Sequence, residues 1–327
     1  MARPVYPTAK PEDFSIPTDA VRQTISDIRE KNGLDLHSFL LLRKGTLLWE
    51  EYFRPDEEER LHVLYSVSKS FMATAIGMAA DEGLLSLNDP LWKFLSQYEA
   101  LFDSEWKREI TLHHLLIMGS GYENTEMEIF QKHSLLGDLT KAALEVPVIH
   151  KPGAHFDYYT LGSYLLSSAF HQICPEGIHS YLTRKLFGPL EITSSVWNVD
   201  RDAIPMGGFG LYLKAYDMTK LGQLYLQEGV WKGQQLLSKS FVNTATSKLI
   251  DNASDETREN PDRRNWGAGY SYQFWQNTFG GYRGDGMMGQ YIIVLPEQEV
   301  VVVMTSDLEN MAVPLNAVEN HLLPHIA

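Results

Sequence analysis

The order of secondary-structure signals along these 327 residues predicts an α+β fold, an antiparallel sheet flanked by terminal helices with a large inserted helical region. Three observations carry that expectation. A helix and two strands come first, the strands at 37–42 and 47–53 joined through Arg43-Lys44-Gly45, a hairpin signature. From about residue 60 to 200 the pattern is mainly helical with short polar breaks. After about 260 it turns to β, then closes on a last helix. Residues 1–60 and 205–327 are therefore expected to form an α/β domain with the sheet. Residues 61–204 form a mainly helical domain, with the active site in the cleft between them.

Each element has its own warrant. Residues 1–15 are proline-rich and read as an extended arm. Residues 16–31 place Val21, Ile25 and Ile28 on one stripe, the spacing of an amphipathic helix, and Asn32-Gly33 ends it. The run Phe71-Met72-Ala73-Thr74-Ala75-Ile76-Gly77-Met78-Ala79-Ala80 is apolar on every face, so this helix belongs in the interior; it closes near Gly83. Ser86-Leu87-Asn88-Asp89-Pro90 opens the next segment. A short helix is expected at 111–118, another helix at 159–173, and a further one at 215–227 with Asp217 near its start and Gly229 beyond its end. Strands are expected at 270–275, 291–295 and 299–304, with Pro296-Glu297-Gln298 turning between the last two. A terminal helix covers 312–323.

Composition narrows the class. With 44% hydrophobic residues the chain can bury a large core. A formal charge of −14 argues against nucleic acid or an anionic membrane as partner. The single cysteine, Cys174, excludes an internal disulfide and a cysteine-rich zinc site, and reads as a buried small hydrophobe. The opening residues contain no apolar core of signal-peptide length, and no run of 18 apolar residues occurs. A cytoplasmic protein with no cofactor is expected.

The chemistry concentrates in Leu64-Tyr65-Ser66-Val67-Ser68-Lys69-Ser70-Phe71. Residues at i and i+3 share a helix face, so Ser66 Oγ and the Lys69 amine can meet over one turn, while Ser68 points elsewhere. A helix N-terminus disfavours a second cation, and burial lowers a lysine pKa further. Bringing a lysine from about 10.4 to near 7 absorbs roughly 4–5 kcal/mol and yields a base for Ser66 at neutral pH. Locally, an N-cap serine explains Ser66 equally well. Ser-x-x-Lys also recurs at Ser104-Glu105-Trp106-Lys107, in a polar stretch.

Separated stretches resemble one family. Ser66-Val67-Ser68-Lys69 is similar to the Ser-x-x-Lys box of penicillin-recognising serine hydrolases. Pro152-Gly153-Ala154-His155-Phe156-Asp157-Tyr158-Tyr159-Thr160 resembles their tyrosine box, with Tyr158 at the working position. Gly207-Gly208-Phe209-Gly210-Leu211-Tyr212, with Asp217-Met218-Thr219-Lys220-Leu221-Gly222, resembles a segment of the class C β-lactamase-like branch. Gly284-Asp285-Gly286-Met287-Met288-Gly289-Gln290-Tyr291 resembles the third box of that branch's esterases and aminohexanoate-dimer hydrolases. The match runs in register from about residue 36 to the C-terminus.

The resemblance implies a β-lactamase/transpeptidase-like fold and hydrolysis through a covalent acyl-enzyme on Ser66. Lys69 and Tyr158 would share the proton transfers, and the backbone N–H groups of Ser66 and Met287 would form the oxyanion hole. Thr160 and Gly286 would bind substrate. Two departures narrow the activity. Thr160 stands where the family usually offers Asn or Ser, and the third box lacks the Lys-Thr-Gly triplet that grips a β-lactam carboxylate; Arg283 is nearby but need not face the site. The implied activity is a serine hydrolase cleaving a small ester, amide or peptide. The alternatives are a catalytically silent ligand-binding protein on the same fold, and a weak β-lactamase or D-amino-acid peptidase.

Rival motifs weigh less. Gly284-Asp285-Gly286-Met287-Met288-Gly289 has dinucleotide-fingerprint spacing but precedes a strand where that motif needs a helix. Adjacent His113 and His114 face different ways and read as capping or packing, so no metal is expected. Asp251, Asp255, Glu256 and Glu259 read as a solvated loop, and Trp266, Tyr270, Tyr272, Phe274 and Trp275 as core or pocket aromatics.

Overall fold

The computed structural model describes residues 5–30, 35–133 and 137–326. A six-stranded antiparallel sheet runs in the order Thr46–Tyr52, Leu36–Arg43, Val300–Ser306, Gln290–Leu295, Tyr282–Gly286, Trp275–Gln276. The hairpin thus pairs with the last strand of the chain, Leu40 opposite Val303 and Leu42 opposite Val301. The helical region is inserted between the two halves of the sheet's sequence.

Period-2 side-chain alternation sorts the sheet into two cores. Leu40, Leu42, Ile292, Val294, Val301 and Val303 face a large cluster built with the helices of the inserted region. Phe39, Leu41, Tyr291, Ile293, Val302 and Met304 face the other way, against Val21, Ile25 and Ile28 of the first helix and Leu315 and Val318 of the last. Both sheet faces are covered, which is why these strands read as continuous apolar runs.

Most expected elements are present. The first helix spans Thr18–Glu30; the Asn32-Gly33 stop lies outside the described residues. Within the arm, Pro11–Phe14 forms a 3-10 turn. The interior helix is Ser68–Asp81, with every residue from Ser68 to Ala79 buried. Helices also occupy Leu112–Leu116, Thr160–Ile173 and Ala215–Leu226. The last helix begins at Ala312–Ala317 and continues as a π-helical turn over Val318–Leu322.

Three expectations are corrected. Residues 270–275 are not a strand: Gln273 adopts φ +61° and Ser271 N donates to Phe274 O. The chain turns tightly because the Gln273 amide is drawn inward, donating to the Leu115 and Leu116 carbonyls while its oxygen accepts from Ser163 Oγ. Cys174 is half-buried beside Glu176, not enclosed. The acidic loop contains a short exposed helix, Asp255–Glu259, capped by Ser254.

The strand Tyr282–Gly286 gives no alternating apolar signal because glycines occupy it, and they are there for approach distance. A Cβ on Gly286 would sit 2.3 Å from Leu64 O, and one on Gly284 would sit 3.0 Å from Ser70 Oγ. The strand lies directly against the segment that carries Ser66.

Candidate active site

Ser66 does not begin the α-helix. It occupies a 3-10 turn, Tyr65–Val67, that feeds into Ser68–Asp81. The helix N-cap is Val67 and no side chain caps it, so the N-cap reading of Ser66 fails. Tyr65 holds φ +46°, a left-handed conformation that costs a non-glycine residue on the order of 1 kcal/mol. Ser68 is buried inward, accepting from Leu211 N at 3.1 Å.

Lys69 is 1% exposed. Its Nζ donates to Ser66 Oγ at 3.0 Å, to Gly208 O at 2.8 Å and to Thr160 Oγ1 at 3.3 Å. Burial pulls its pKa from 10.5 to about 7, while the nearby Glu126 carboxylate pulls the other way. At neutral pH a large share of this amine is unprotonated and in contact with the serine hydroxyl. The Gly208 carbonyl reaches Lys69 because the Gly207-Gly208 segment lies on the helix Thr160–Ile173: a Cβ on Gly208 would meet Thr160 Cγ2 at 2.6 Å.

The two adjacent tyrosines separate cleanly. Tyr158 is half-buried, its ring centroid 4.9 Å from Lys69 Nζ, and it stacks on Trp275 at 5.2 Å. Burial pushes its hydroxyl pKa well up, opposed by hydrogen bonding to Ser66, so it stays a neutral phenol able to donate. Tyr159 turns into the core, stacks on Tyr122 at 5.7 Å, and its hydroxyl has no partner. Ser66, Lys69, Tyr158 and Thr160 therefore gather around one point.

Thr160 is engaged differently from the expectation, its hydroxyl on Lys69 and its backbone N–H on the Glu126 carboxylate. Glu126 was not singled out by sequence. It begins the helix Glu126–His133, its pKa raised by burial, and nothing local in Asn124-Thr125-Glu126 separates it from an ordinary first-turn acid. Met287 follows Gly286 at the rim, 58% exposed.

Several neighbours are structural. Arg283 is fully buried, donating from Nε to Asp285 Oδ2 at 2.9 Å and from its other nitrogens to Asn265 O, Gln276 O and Asn277 Oδ1. Its full burial keeps this guanidinium away from a substrate carboxylate. Ser104 caps its own short helix through Lys107 N, and the Lys107 ammonium donates to the Leu101 and Leu144 carbonyls. His114 completes a cap with Thr111, and His113 Nδ1 meets Tyr272 Oη at 2.7 Å. A cavity of about 360 Å³ opens beside Tyr158, lined also by Phe156, Asp157, Asp251, Asn252 and Trp266. A larger groove of about 710 Å³ between the first helix and the hairpin carries no serine–lysine pair.

A sheet between terminal helices, with a buried lysine on a serine just ahead of an interior helix, is the arrangement of the β-lactamase/transpeptidase-like fold. The family model described as Beta-lactamase matches residues 21–320, and the chain belongs to that family. It is 24% identical over 323 residues to the 6-aminohexanoate-dimer hydrolase of Paenarthrobacter ureafaciens, covering 91% of this chain and 79% of that protein. Protein flp of Staphylococcus aureus (strain COL) is 29% identical over 175 residues, covering 50% of this chain and 35% of that protein. The chain thus spans about a third of that longer relative. A Bacillus anthracis structure assigned as a 6-aminohexanoate-dimer hydrolase superposes with a TM-score of 0.74 at 19% identity, over 97% of this chain and 86% of that one. Among the described residues no helix is long and apolar enough to cross a membrane.

Proposed function

We propose that the protein hydrolyses a small ester or amide through an acyl-enzyme on Ser66. The site would lie in the cleft between the sheet domain, residues 1–60 and 205–327, and the helical domain, residues 61–204. The carrying observation is the buried Lys69 amine 3.0 Å from Ser66 Oγ with its pKa lowered to about 7. Ser66 Oγ attacks the carbonyl carbon while its proton passes to Lys69. Tyr158, a neutral phenol between the two, donates its proton to the leaving alkoxide or amine and is reprotonated from Lys69. Water then attacks the acyl carbon, gives its proton to Lys69, and Ser66 recovers its own as the acid leaves. The backbone N–H groups of Ser66 and Met287 are the candidate oxyanion donors; removing one such donor typically costs about 2.7–4 kcal/mol.

Two features disfavour a substrate that carries a carboxylate, such as a β-lactam or a D-peptide. Arg283 is held by buried acceptors, and the cavity beside Tyr158 presents the carboxylates of Asp157 and Asp251 and, among the described residues, no lysine or arginine. Intact mass after a fluorophosphonate probe is expected to show one adduct, absent in Ser66→Ala. Absence of an adduct on the wild-type chain at millimolar probe overturns the mechanism. The competing reading, a silent binding protein, expects wild type and Ser66→Ala to cleave a nitrophenyl ester panel equally poorly.

A further inference from the structure

Away from Ser66 and Lys69, three Lewis bases converge in the interior. His37 lies on the strand Leu36–Arg43, His62 on the strand His62–Val63, and Glu57 in the turn that leads toward it. All three are buried, at 3%, 9% and 1% exposure in the order His37, His62, Glu57. His37 Nδ1 is 2.7 Å from His62 Nε2, and His62 Nε2 is 2.8 Å from Glu57 Oε1. One ligand atom from each residue lies within 4.8 Å of the other two. The pairing with the last strand slips between Leu36 and Ser38, so His37 sits at a bulge, a device that re-aims a side chain.

Proton counting shows what is missing. His62 Nε2 is the shared neighbour, and the single proton it can carry serves His37 or Glu57, not both. With His37 Nδ1–H donating to His62 Nε2, the Glu57 oxygen faces that nitrogen's lone pair. Glu57 Oε1 approaches without the alignment of a hydrogen bond, and both its oxygens are buried without a hydrogen-bond partner, an arrangement that costs several kcal/mol for an ionised carboxylate. Its ion-pair partner Arg60 stands 3.7 Å from Oε2 and is half-exposed. Arg54, also near, is held by Asp35 at 2.5 Å.

We propose that His37, Glu57 and His62 bind a divalent transition-metal ion of the zinc class, with one position left for water. Two imidazoles and a carboxylate are a recognised zinc donor set, and tetrahedral bonds of about 2.0–2.2 Å require donors about 3.3 Å apart, so the two nitrogens need part by only about 0.6 Å. The ion satisfies all three bases at once. His37 Nε2 and His62 Nδ1 have no outer partner, and such partners are worth about 10–100-fold in affinity, so binding is expected to be micromolar. The ion ties the turn before His62 to the hairpin, four residues ahead of Ser66 in the chain. Its role is structural.

Chelator-stripped protein titrated with Co²⁺ is expected to take up one ion per chain. The complex should show a tetrahedral-type visible absorption that Zn²⁺ displaces. At a hundredfold excess over Kd, Tm should rise by about 4 °C. His37→Gln and Glu57→Gln, each confirmed folded by a cooperative melt, should lose uptake and the Tm response. Wild-type protein that binds neither ion at sub-millimolar concentration overturns the proposal. So does uptake retained in both variants, which would locate the ion on surface histidines. Should the variants not fold, the wild-type Co²⁺ spectrum decides: a weak octahedral-type spectrum, as expected for an ion on solvated surface histidines, overturns the proposal.

Discussion

Replacing Lys69 by Met tests the depressed lysine pKa without relying on a substrate. Met keeps the length and apolar stem but removes the charge. With a folded pKa near 7 against 10.5 unfolded, the unfolded chain holds more protons between those values, so stability rises with pH there. The sign is that of a depressed group: the stability is present above the unfolded value and lost as pH falls through the folded one. Protonation of Lys69 therefore costs the fold ~5 kcal/mol at pH 6 but only ~2 kcal/mol at pH 9. The methionine side chain does not titrate and carries no such cost at either pH. Lys69→Met also orphans the Gly208 carbonyl and the Thr160 and Ser66 hydroxyls, a cost that is the same at both pH values and cancels from the difference. Urea unfolding of both proteins at pH 6 and pH 9 should show the variant gaining, relative to wild type, ~3 kcal/mol more at pH 6. Parallel wild-type and variant curves would mean an ordinary lysine and would refute its role as base. The variant should also lose esterase activity, the trade-off expected where a strained group is functional.

The tyrosine pair gives a contrast: Tyr158→Phe should reduce kcat by about 10²–10⁴, whereas Tyr159→Phe should leave activity unchanged and be neutral or slightly stabilising, because its hydroxyl is buried without a partner. Steady-state kinetics and melting of both decide it, and equal losses would undo the assignment. Glu126→Gln removes the charge that holds the Lys69 pKa up. The acid limb of the kcat/KM–pH profile should therefore move to lower pH from its midpoint near 7, and an unchanged or raised midpoint would exclude electrostatic coupling.

Local sequence was sufficient for the elements with strong periodicity and for the boxes. The interior helix, the hairpin and the last two sheet strands follow from apolar runs whose burial no surface position would tolerate. The spacing Ser66 to Lys69 is fixed by helical geometry, so their contact was legible before folding. By contrast, the turn at Gln273 and the strand Tyr282–Gly286 obey partners far away in sequence, the Leu115 and Leu116 carbonyls for one and Leu64 O for the other. Periodicity cannot register such partners.

Sequence by itself determined the α+β class, the family boxes and the identity of the serine–lysine pair. Tertiary structure decided what those residues are chemically. It buried Lys69 enough to free its amine, aimed Tyr158 and not Tyr159 at Ser66, brought Glu126 beside Thr160, and locked Arg283 away from substrate. It also gathered His37, Glu57 and His62, whose separate positions in sequence carry no metal-binding spacing. The reason is common to all five: a pKa, a hydrogen-bond partner or a ligand set is a property of what surrounds a group in space, and folding can bring those surroundings from far along the chain, as with His62 beside His37 and Gly208 beside Lys69.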